Sequence, residues 1–195
     1  MELLKERIRR DGKVKEGNVL KVDSFLNHQI DIALLNEIGK EFKRLFSKEK
    51  ITKIITIEAS GIAIACIAAQ YFGVPVVFAK KTESKNIDGD IYTSKIMSYT
   101  HGNEYTAMLE KRFVSPNDRI LILDDFLATG KAQRGLLDIA RQSGASVAGI
   151  GIVIEKGFQG GGDRLRAEGY NLQSLAIIDR MENGVVTFRE ESPQE

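Results

Sequence analysis

The sequence predicts an α/β fold built on a mostly parallel sheet that helices flank on both faces. Short unbroken apolar runs, typical of strands buried on both faces of a parallel sheet, alternate along the chain with segments of helical spacing. Polar or glycine-bearing sequence follows three of these runs, at residues 58–61, 124–130 and 155–156. Ligands of such folds bind beyond the carboxyl ends of the strands, so we expect the three segments to meet at one site.

The first elements follow from spacing and capping. A chain of 195 residues with 43% hydrophobic side chains is long enough for a single domain with a sizeable core. The spacing of its leucines and isoleucine predicts a helix over residues 2–11. Asp31 is the predicted N-cap of a long amphipathic helix whose apolar side ends at Phe46. A buried strand is predicted next, at residues 53–57.

Residues 59–79 carry no charge and are long enough to span a bilayer. A Gly-Val-Pro break at residues 73–75 divides this stretch into a helix-length part and a strand-length part. We therefore predict a buried helix over residues 62–71 and a buried strand over residues 76–78, and no membrane segment.

The second half of the chain continues the alternation after a polar, loop-like segment at residues 80–90. Turn-forming residues separate two runs of strand character and favour a hairpin. The predicted elements are hairpin strands at 91–98 and 104–110, a strand at 120–123, a helix at 132–143, a strand at 146–154, a short helix at 163–168, and strands at 172–178 and 185–188.

Composition excludes several classes of function. The formal net charge is +1, whereas a nucleic-acid binder typically carries a clear excess of positive charge. Cys66 is the single cysteine, which excludes an internal disulfide and a cysteine-based zinc site, and we interpret it as a small core residue. The N-terminal sequence Met-Glu-Leu-Leu-Lys-Glu-Arg has charges where a signal peptide needs an apolar stretch, so we expect a cytoplasmic protein.

Residues 119–132 carry the strongest functional signal. An apolar strand at residues 120–123 leads directly into Asp124 and Asp125, where we expect the strand to emerge into solvent. The small-residue turn at 128–132 then leads into a helix, and such a turn presents backbone N–H groups and a positive dipole end to a phosphate. Because carboxylates accept hydrogen bonds from sugar hydroxyls, this order predicts a site for a polyhydroxylated phosphate.

The same segment resembles the phosphoribosyl-pyrophosphate (PRPP) signature of type I phosphoribosyltransferases. The resemblance implies that fold, with Asp124 and Asp125 as catalytic acids on the ribose hydroxyls and the turn around the 5′-phosphate. The turn residues it assigns to PRPP are Ala128, Thr129, Gly130, Lys131 and Ala132. Many members have Thr or Ser at the last of these positions, so Ala132 removes one hydroxyl contact.

Two further segments correspond to pyrophosphate contacts in that family. Ser60 and Gly61 lie in a turn whose small residues let backbone N–H groups approach an anion, although a tight strand–helix connection also requires Gly61. Lys80 and Lys81 are placed to neutralise departing pyrophosphate, or are a solvated pair at a loop edge. In some members this basic residue serves the neighbouring subunit, and the family usually forms homodimers. A following loop with a pair resembling Ser98-Tyr99 closes over the substrate in the family.

Lys156 ends an apolar strand beside the predicted ribose site. An ammonium group there donates to a purine O6 and disfavours adenine, whose 6-amino group is itself a donor. Phe158 either stacks on the purine or forms a hydrophobic plug.

Three segments, 20–30, 124–128 and 149–156, closely resemble xanthine phosphoribosyltransferases. The resemblance implies that Leu20 and Asn27 line the base pocket in an N-terminal hood formed largely by residues 1–30, and that Lys156 contacts the base. Asn27 offers both donors and an acceptor, which suits xanthine's second carbonyl and ring N–H. Within a single 195-residue domain, residues 31–160 then form the core and residues 161–195 the C-terminal part.

The sequence therefore predicts a purine-salvage enzyme that converts xanthine and PRPP to XMP and pyrophosphate. We expect Mg²⁺ to bind through substrate oxygens without a dedicated protein site, because Mg²⁺ usually keeps waters and binds substrate phosphates. A guanine/hypoxanthine enzyme and a non-catalytic PRPP-sensing regulator on the same fold are the alternatives. About thirty residues precede the core, too few for a winged-helix domain.

Overall fold

The computed structural model describes residues 1–81, 90–97, 104–182 and 184–190, so the predicted Ser98-Tyr99 pair lies outside the described residues. The helices are α1 (Glu2–Asp11), α2 (Ile32–Leu45), α3 (Ser60–Phe72), α4 (Lys131–Ser143) and α5 (Gly161–Ala167). The strands are β1 (Lys13–Lys15), β2 (Val19–Lys21), β3 (Lys53–Ile57), β4 (Val76–Ala79), β5 (Ile91–Met97), β6 (Glu104–Glu110), β7 (Arg119–Leu127), β8 (Ser146–Lys156), β9 (Leu172–Glu182) and β10 (Val185–Phe188).

A six-stranded sheet in the order β10-β9-β8-β7-β3-β4 forms the centre of the molecule. Its strands are parallel except β10, which pairs antiparallel with β9 at one edge. The predicted mostly parallel sheet is therefore confirmed. The predicted hairpin is confirmed as well, because β5 and β6 form a separate antiparallel pair.

Two hydrophobic cores, one on each face of the sheet, explain the unbroken apolar runs of the central strands β7 and β8. Leu121 and Leu123 of β7 face a core that α1, α2 and α3 complete, whereas Ile120 and Ile122 face a core that includes α4 and α5. Successive side chains of a strand point to opposite faces, so an unbroken apolar run is needed where both faces are covered.

Helix α3 and strand β4 occupy the uncharged stretch of the sequence, as predicted. The prediction that residues 76–78 are buried is wrong, because β4 is an edge strand and Phe78 is 39% exposed. Among the helices within the described residues, none combines the length and apolar character needed to cross a membrane. The interpretation of Cys66 as a core residue is wrong, because its side chain is exposed. The buried side of α3 is formed by Ile64, Ala65, Ala68 and Ala69, and the helical repeat turns position 66 away from it.

The predicted N-cap of α2 is confirmed. Asp31 Oδ1 accepts a hydrogen bond from the backbone N–H of Leu34 at 3.1 Å, and Oδ2 accepts one from Arg7 of α1 at 2.7 Å. These contacts lower the pKa of the Asp31 carboxyl, with the Leu34 N–H the main cause. One side chain thus caps α2 and ties it to α1.

We expect Asp31→Ala to lower the free energy of unfolding by about 1 kcal/mol, the usual cost of losing an N-cap. Urea denaturation followed by circular dichroism measures this change. Glu37→Ala is the matched control, since Glu37 is an exposed acid on the same helix whose partner is Lys40, at 2.6 Å. Equal midpoints for the two variants would contradict the capping role.

Candidate active site

A cavity of about 290 Å³ opens at the carboxyl ends of β3 and β7, where α3 and α4 begin. It is lined by Ile57, Glu58, Ser60, Lys81, Ile96, Tyr105, Asp124, Asp125, Phe126, Ala128, Thr129, Gly130, Lys131, Ala132 and Gln133. Two of the three predicted segments, 58–61 and 124–130, therefore meet at one site, on the edge of the sheet where ligands of such folds bind. The third, residues 155–156, is not part of this lining, and its Glu155 is buried.

The two acids lie on the wall of this cavity but are not at a solvated strand end. Asp124 is 4% exposed and Asp125 is 8% exposed. The expectation that the strand emerges at Asp124 is wrong, because β7 stays paired with β8 as far as Leu127, opposite Glu155. The apolar run ends at residue 123, but backbone pairing does not depend on apolar side chains.

Burial, followed by the neighbouring Asp125 carboxylate, raises the pKa of Asp124 well above its usual range. Two donors compensate part of this cost. The Asp125 backbone N–H donates to Oδ1 at 3.0 Å, and Gln133 Nε2 donates to Oδ2 at 2.8 Å. The same Gln133 amide also reaches the carbonyl oxygen of Phe126 at 3.2 Å, so it joins the end of β7 to the first turn of α4.

Gln133 was missed by sequence reasoning, although a signal was present. It stands three and four residues before Leu136 and Leu137, which places a polar side chain on the buried stripe of α4. A buried polar group on such a stripe requires a partner, and here the partner is a site carboxylate.

We expect Gln133→Met to lower the free energy of unfolding by about 1–3 kcal/mol, because the buried Asp124 carboxyl loses a donor. Urea denaturation checks the value. Gln142→Met is the matched control, since exposed Gln142 on α4 likewise donates to an aspartate, Asp138, and to a backbone carbonyl. A Gln133 variant as stable as the Gln142 variant would show that the Gln133 amide does not stabilise the buried Asp124 carboxyl.

The turn between β7 and α4 has the form expected of a phosphate-binding turn. Gly130 adopts a left-handed backbone conformation with φ of +84°, which favours glycine at this position. Helix α4 begins at Lys131, one residue earlier than predicted, and its first backbone N–H groups have no carbonyl partners within the helix. The positive end of the helix thus lies at the cavity.

Ser60 and Gly61 have different positions at the start of α3. Ser60 lines the cavity. Gly61 is buried, and a Cβ atom there would lie 2.0 Å from Thr56 Oγ1 and 3.2 Å from Asp124 Oδ1. Gly61 is therefore needed for the tight strand–helix connection. The peptide bond between Glu58 and Ala59, just before α3, is cis.

The structure separates the two adjacent lysines. Lys81 lines the cavity, its ammonium group lies 5.3 Å from the Tyr105 ring, and its backbone N–H donates to Glu58. Lys80 lines a second cavity, at the sheet edge beside Phe78 and Met108.

Tyr105 was missed by sequence reasoning, because nothing in its strand marks it as functional. Its ring forms part of the cavity wall opposite the acids, and burial, with a smaller effect of Asp124, raises the pKa of its hydroxyl.

The four residues assigned to the base lie outside the set of described residues that line the 290 Å³ cavity. Asn27 nevertheless reaches the acids, since its Nδ2 lies 3.4 Å from Asp125 Oδ2. Leu20 is 5% exposed and packs in the core, so its place in a base pocket remains a prediction. Phe158 is 38% exposed, available for stacking.

Lys156 is the last residue of β8, as predicted. Its ammonium group donates to the carbonyl oxygen of Asn18 at 2.9 Å and lies 5.8 Å from the Phe126 ring. Desolvation lowers its pKa from the ordinary lysine value. Asn18 belongs to the turn between β1 and β2, so this contact joins the N-terminal hairpin to the strand end.

Metal binding by protein groups alone has no candidate site in the described ranges. Within residues 1–81, 90–97, 104–182 and 184–190, no three His, Cys, Asp or Glu side chains are grouped to hold a metal ion. The oxygen groups on the cavity wall are carboxylates and hydroxyls, which are hard ligands of the kind that Mg²⁺ prefers.

Comparison with known proteins agrees with this fold. Residues 21–187 match the phosphoribosyl transferase domain family. An APRTase from Giardia lamblia, solved in complex with 9-deazaadenine, superposes with a TM-score of 0.77 at 21% identity, covering 91% of this chain and 98% of that one. The chain therefore belongs to the phosphoribosyltransferase family.

Relatives of higher identity refine this assignment. A protein of Lachnoclostridium phytofermentans is 66% identical over 191 residues, which cover 97% of this chain and 98% of the relative. One from Ruminiclostridium cellulolyticum is 60% identical, covering 97% of this chain and 100% of the relative. Both are named xanthine phosphoribosyltransferase, and by sequence the chain belongs with them. The resemblance inferred from the three sequence segments is confirmed.

Proposed function

We propose that the protein transfers the phosphoribosyl group of PRPP to xanthine, forming XMP and pyrophosphate. The observation that carries this proposal is the buried acid pair beside a left-handed glycine turn and helix start, in a chain 66% identical to a relative named xanthine phosphoribosyltransferase. The cavity offers carboxylates for ribose hydroxyls and backbone N–H groups for a phosphate on adjacent walls.

The reaction displaces pyrophosphate from C1′ by a purine nitrogen. Its transition state resembles an oxocarbenium ion, as in glycoside chemistry, so no nucleophilic side chain is required. Asp124 and Asp125 hold the ribose, and residues 128–132 hold the 5′-phosphate. The buried carboxylates also favour positive charge that develops on the ring, while fixed positions for both substrates reduce the entropic barrier.

The leaving group is assigned to the opposite wall of the cavity. Ser60 and Lys81 contact pyrophosphate in this proposal, and the Lys81 ammonium group offsets its negative charge. Mg²⁺, when bound, would neutralise further negative charge on the substrate phosphates, with the carboxylates and hydroxyls of the cavity wall as the nearby hard ligands. Lys80 lies in the neighbouring cavity, which is compatible with a role toward a second subunit of a homodimer.

The base is assigned to the end of β8 and the N-terminal hairpin. Lys156 donates to the purine O6, Asn27 pairs with the second carbonyl and ring N–H, and Phe158 and Leu20 supply apolar contacts.

Composition favours a cytoplasmic enzyme that acts on small molecules over a nucleic-acid binder. The only cysteine is Cys66, and the formal net charge is +1.

Product formation with PRPP and Mg²⁺, offering xanthine, guanine, hypoxanthine and adenine separately, tests the proposal. We expect XMP from xanthine to form fastest. A preference for guanine or hypoxanthine would support phosphoribosyl transfer from PRPP but contradict xanthine as the base. PRPP binding without product from any base would favour a PRPP-sensing regulator.

A further inference from the structure

Helix α5 lies directly against the proposed phosphate-binding turn. The backbone N–H of Gly161 donates to the carbonyl oxygen of Ala128 at 3.2 Å. A Cβ atom at Gly161 would lie 2.3 Å from that oxygen and 2.6 Å from the carbonyl carbon of Thr129, so glycine is required for the approach. Arg164 also donates to the Thr129 carbonyl at 3.3 Å. The position of α5 therefore determines the position of the turn.

An ion pair between a buried carboxylate and a half-buried arginine of α5, 30% exposed, joins α5 to the sheet. Glu155 of β8 is 0% exposed, and Arg166 of α5 donates to its two carboxylate oxygens at 3.0 and 2.6 Å. The Ser174 hydroxyl donates to the same carboxylate, and Arg166 Nε donates to the Leu172 carbonyl at 3.3 Å. The carboxylate thus connects β8, α5 and β9.

The place of this ion pair in the chain points to a role beyond stability. Glu155 immediately precedes Lys156, which the proposed function assigns to the base. Replacing a buried ion pair by apolar groups is often neutral for stability, so burial alone does not explain a paired Glu and Arg here. The geometry of a bidentate pair, in contrast, restricts how α5 sits on the strand end.

We propose that Glu155 and Arg166 are positioning residues, which hold α5 against the phosphate-binding turn and so determine the affinity for PRPP. This inference rests on the proposed function. Neither side chain lines the active-site cavity, so each acts through the backbone of residues 128–130.

Two variants test the inference independently. In Glu155→Met/Arg166→Met, apolar groups replace the ion pair, and in Gly161→Ala a methyl group displaces the turn. We expect the KM for PRPP to rise about tenfold or more in both, because a misplacement of about 1 Å costs large factors in such sites. We expect kcat to change less than the KM, about threefold at most, because the reacting groups are retained.

Glu168→Gln is the matched control, since it removes an exposed bidentate ion pair between Arg134 of α4 and Glu168, the residue that follows α5. Its KM for PRPP should equal that of the unmodified protein. Arg166→Lys, which retains the buried charge, replaces the double variant if that variant does not fold, and its KM should rise in the same direction.

An unchanged KM for PRPP in the folded variants, with only a lowered melting temperature, would overturn the inference. The ion pair would then contribute to stability alone. If the unmodified protein forms no product, calorimetric titration with PRPP provides the same comparison through Kd. Failure of the proposed function is thereby distinguished from failure of this inference.

Discussion

Asp125→Ala should reduce the turnover of PRPP and xanthine by about 100- to 1,000-fold, the usual effect of removing one group that stabilises transition-state charge. The protein should remain folded. Asp125 lines the cavity, and its described side-chain contact is the amide of Asn27 at 3.4 Å. Removing it also relieves the like-charge interaction that contributes to the raised pKa of Asp124.

Initial rates with saturating PRPP and xanthine measure this loss, and circular dichroism verifies the fold. Asp138→Ala is the control, because Asp138 lies two turns further along α4, outside the lining of the cavity, and pairs with Arg141. Full PRPP-dependent activity in Asp125→Ala would disprove the ribose assignment.

Lys156→Met should raise the KM for xanthine about 10- to 100-fold, because a hydrogen bond from a charged group is worth about 1.5–3 kcal/mol. Affinity for PRPP should be retained, since the proposed function assigns this lysine to the base and not to PRPP. Lys43→Met is the control, because Lys43 is an exposed lysine of α2 whose ammonium group likewise lies over an aromatic ring, 4.8 Å from the centre of Phe72. Unchanged xanthine kinetics in Lys156→Met would remove this residue from the base pocket.

The same lysine predicts a pH dependence. Desolvation lowers the pKa of Lys156. The ammonium form is therefore present at low pH, and it loses its proton at a lower pH than an ordinary lysine does. The affinity for xanthine should decline on the alkaline side as this proton is lost. In Lys156→Arg the guanidinium stays protonated, so the part of the decline due to this residue should disappear. A variant profile that superposes on that of the unmodified protein would contradict this origin.

Local patterns accounted for most of the architecture. The helical repeat and the strand alternation each depend on residues a few positions apart, which is why β3, α3, α4 and the β5–β6 hairpin were predicted within a few residues of their observed bounds. The arrangement around Asp124 and Gly130 was also predicted from the sequence, because strand, acids, turn and helix follow each other directly in the chain.

Contacts between segments that are far apart in the chain could not be predicted from the sequence. Lys80 and Lys81 are adjacent, yet they line different cavities: Lys80 still bridges to Met108 just after the end of β4, and successive side chains of an extended chain point to opposite sides. Gln133 and Tyr105 became site residues only when α4 and β6 packed at the end of β7.

The sequence by itself determined the α/β class, the order of the elements and the strand–acid–turn segment at residues 120–132 that lines the cavity, because each depends on short-range spacing and residue type. Only the tertiary structure decided that Asp124 is buried with a raised pKa, that Asn27 reaches Asp125, and that Glu155 pairs with Arg166 behind the phosphate turn. Burial and hydrogen-bond partners depend on atoms supplied by other strands and helices, and their energies arise only when those elements pack together.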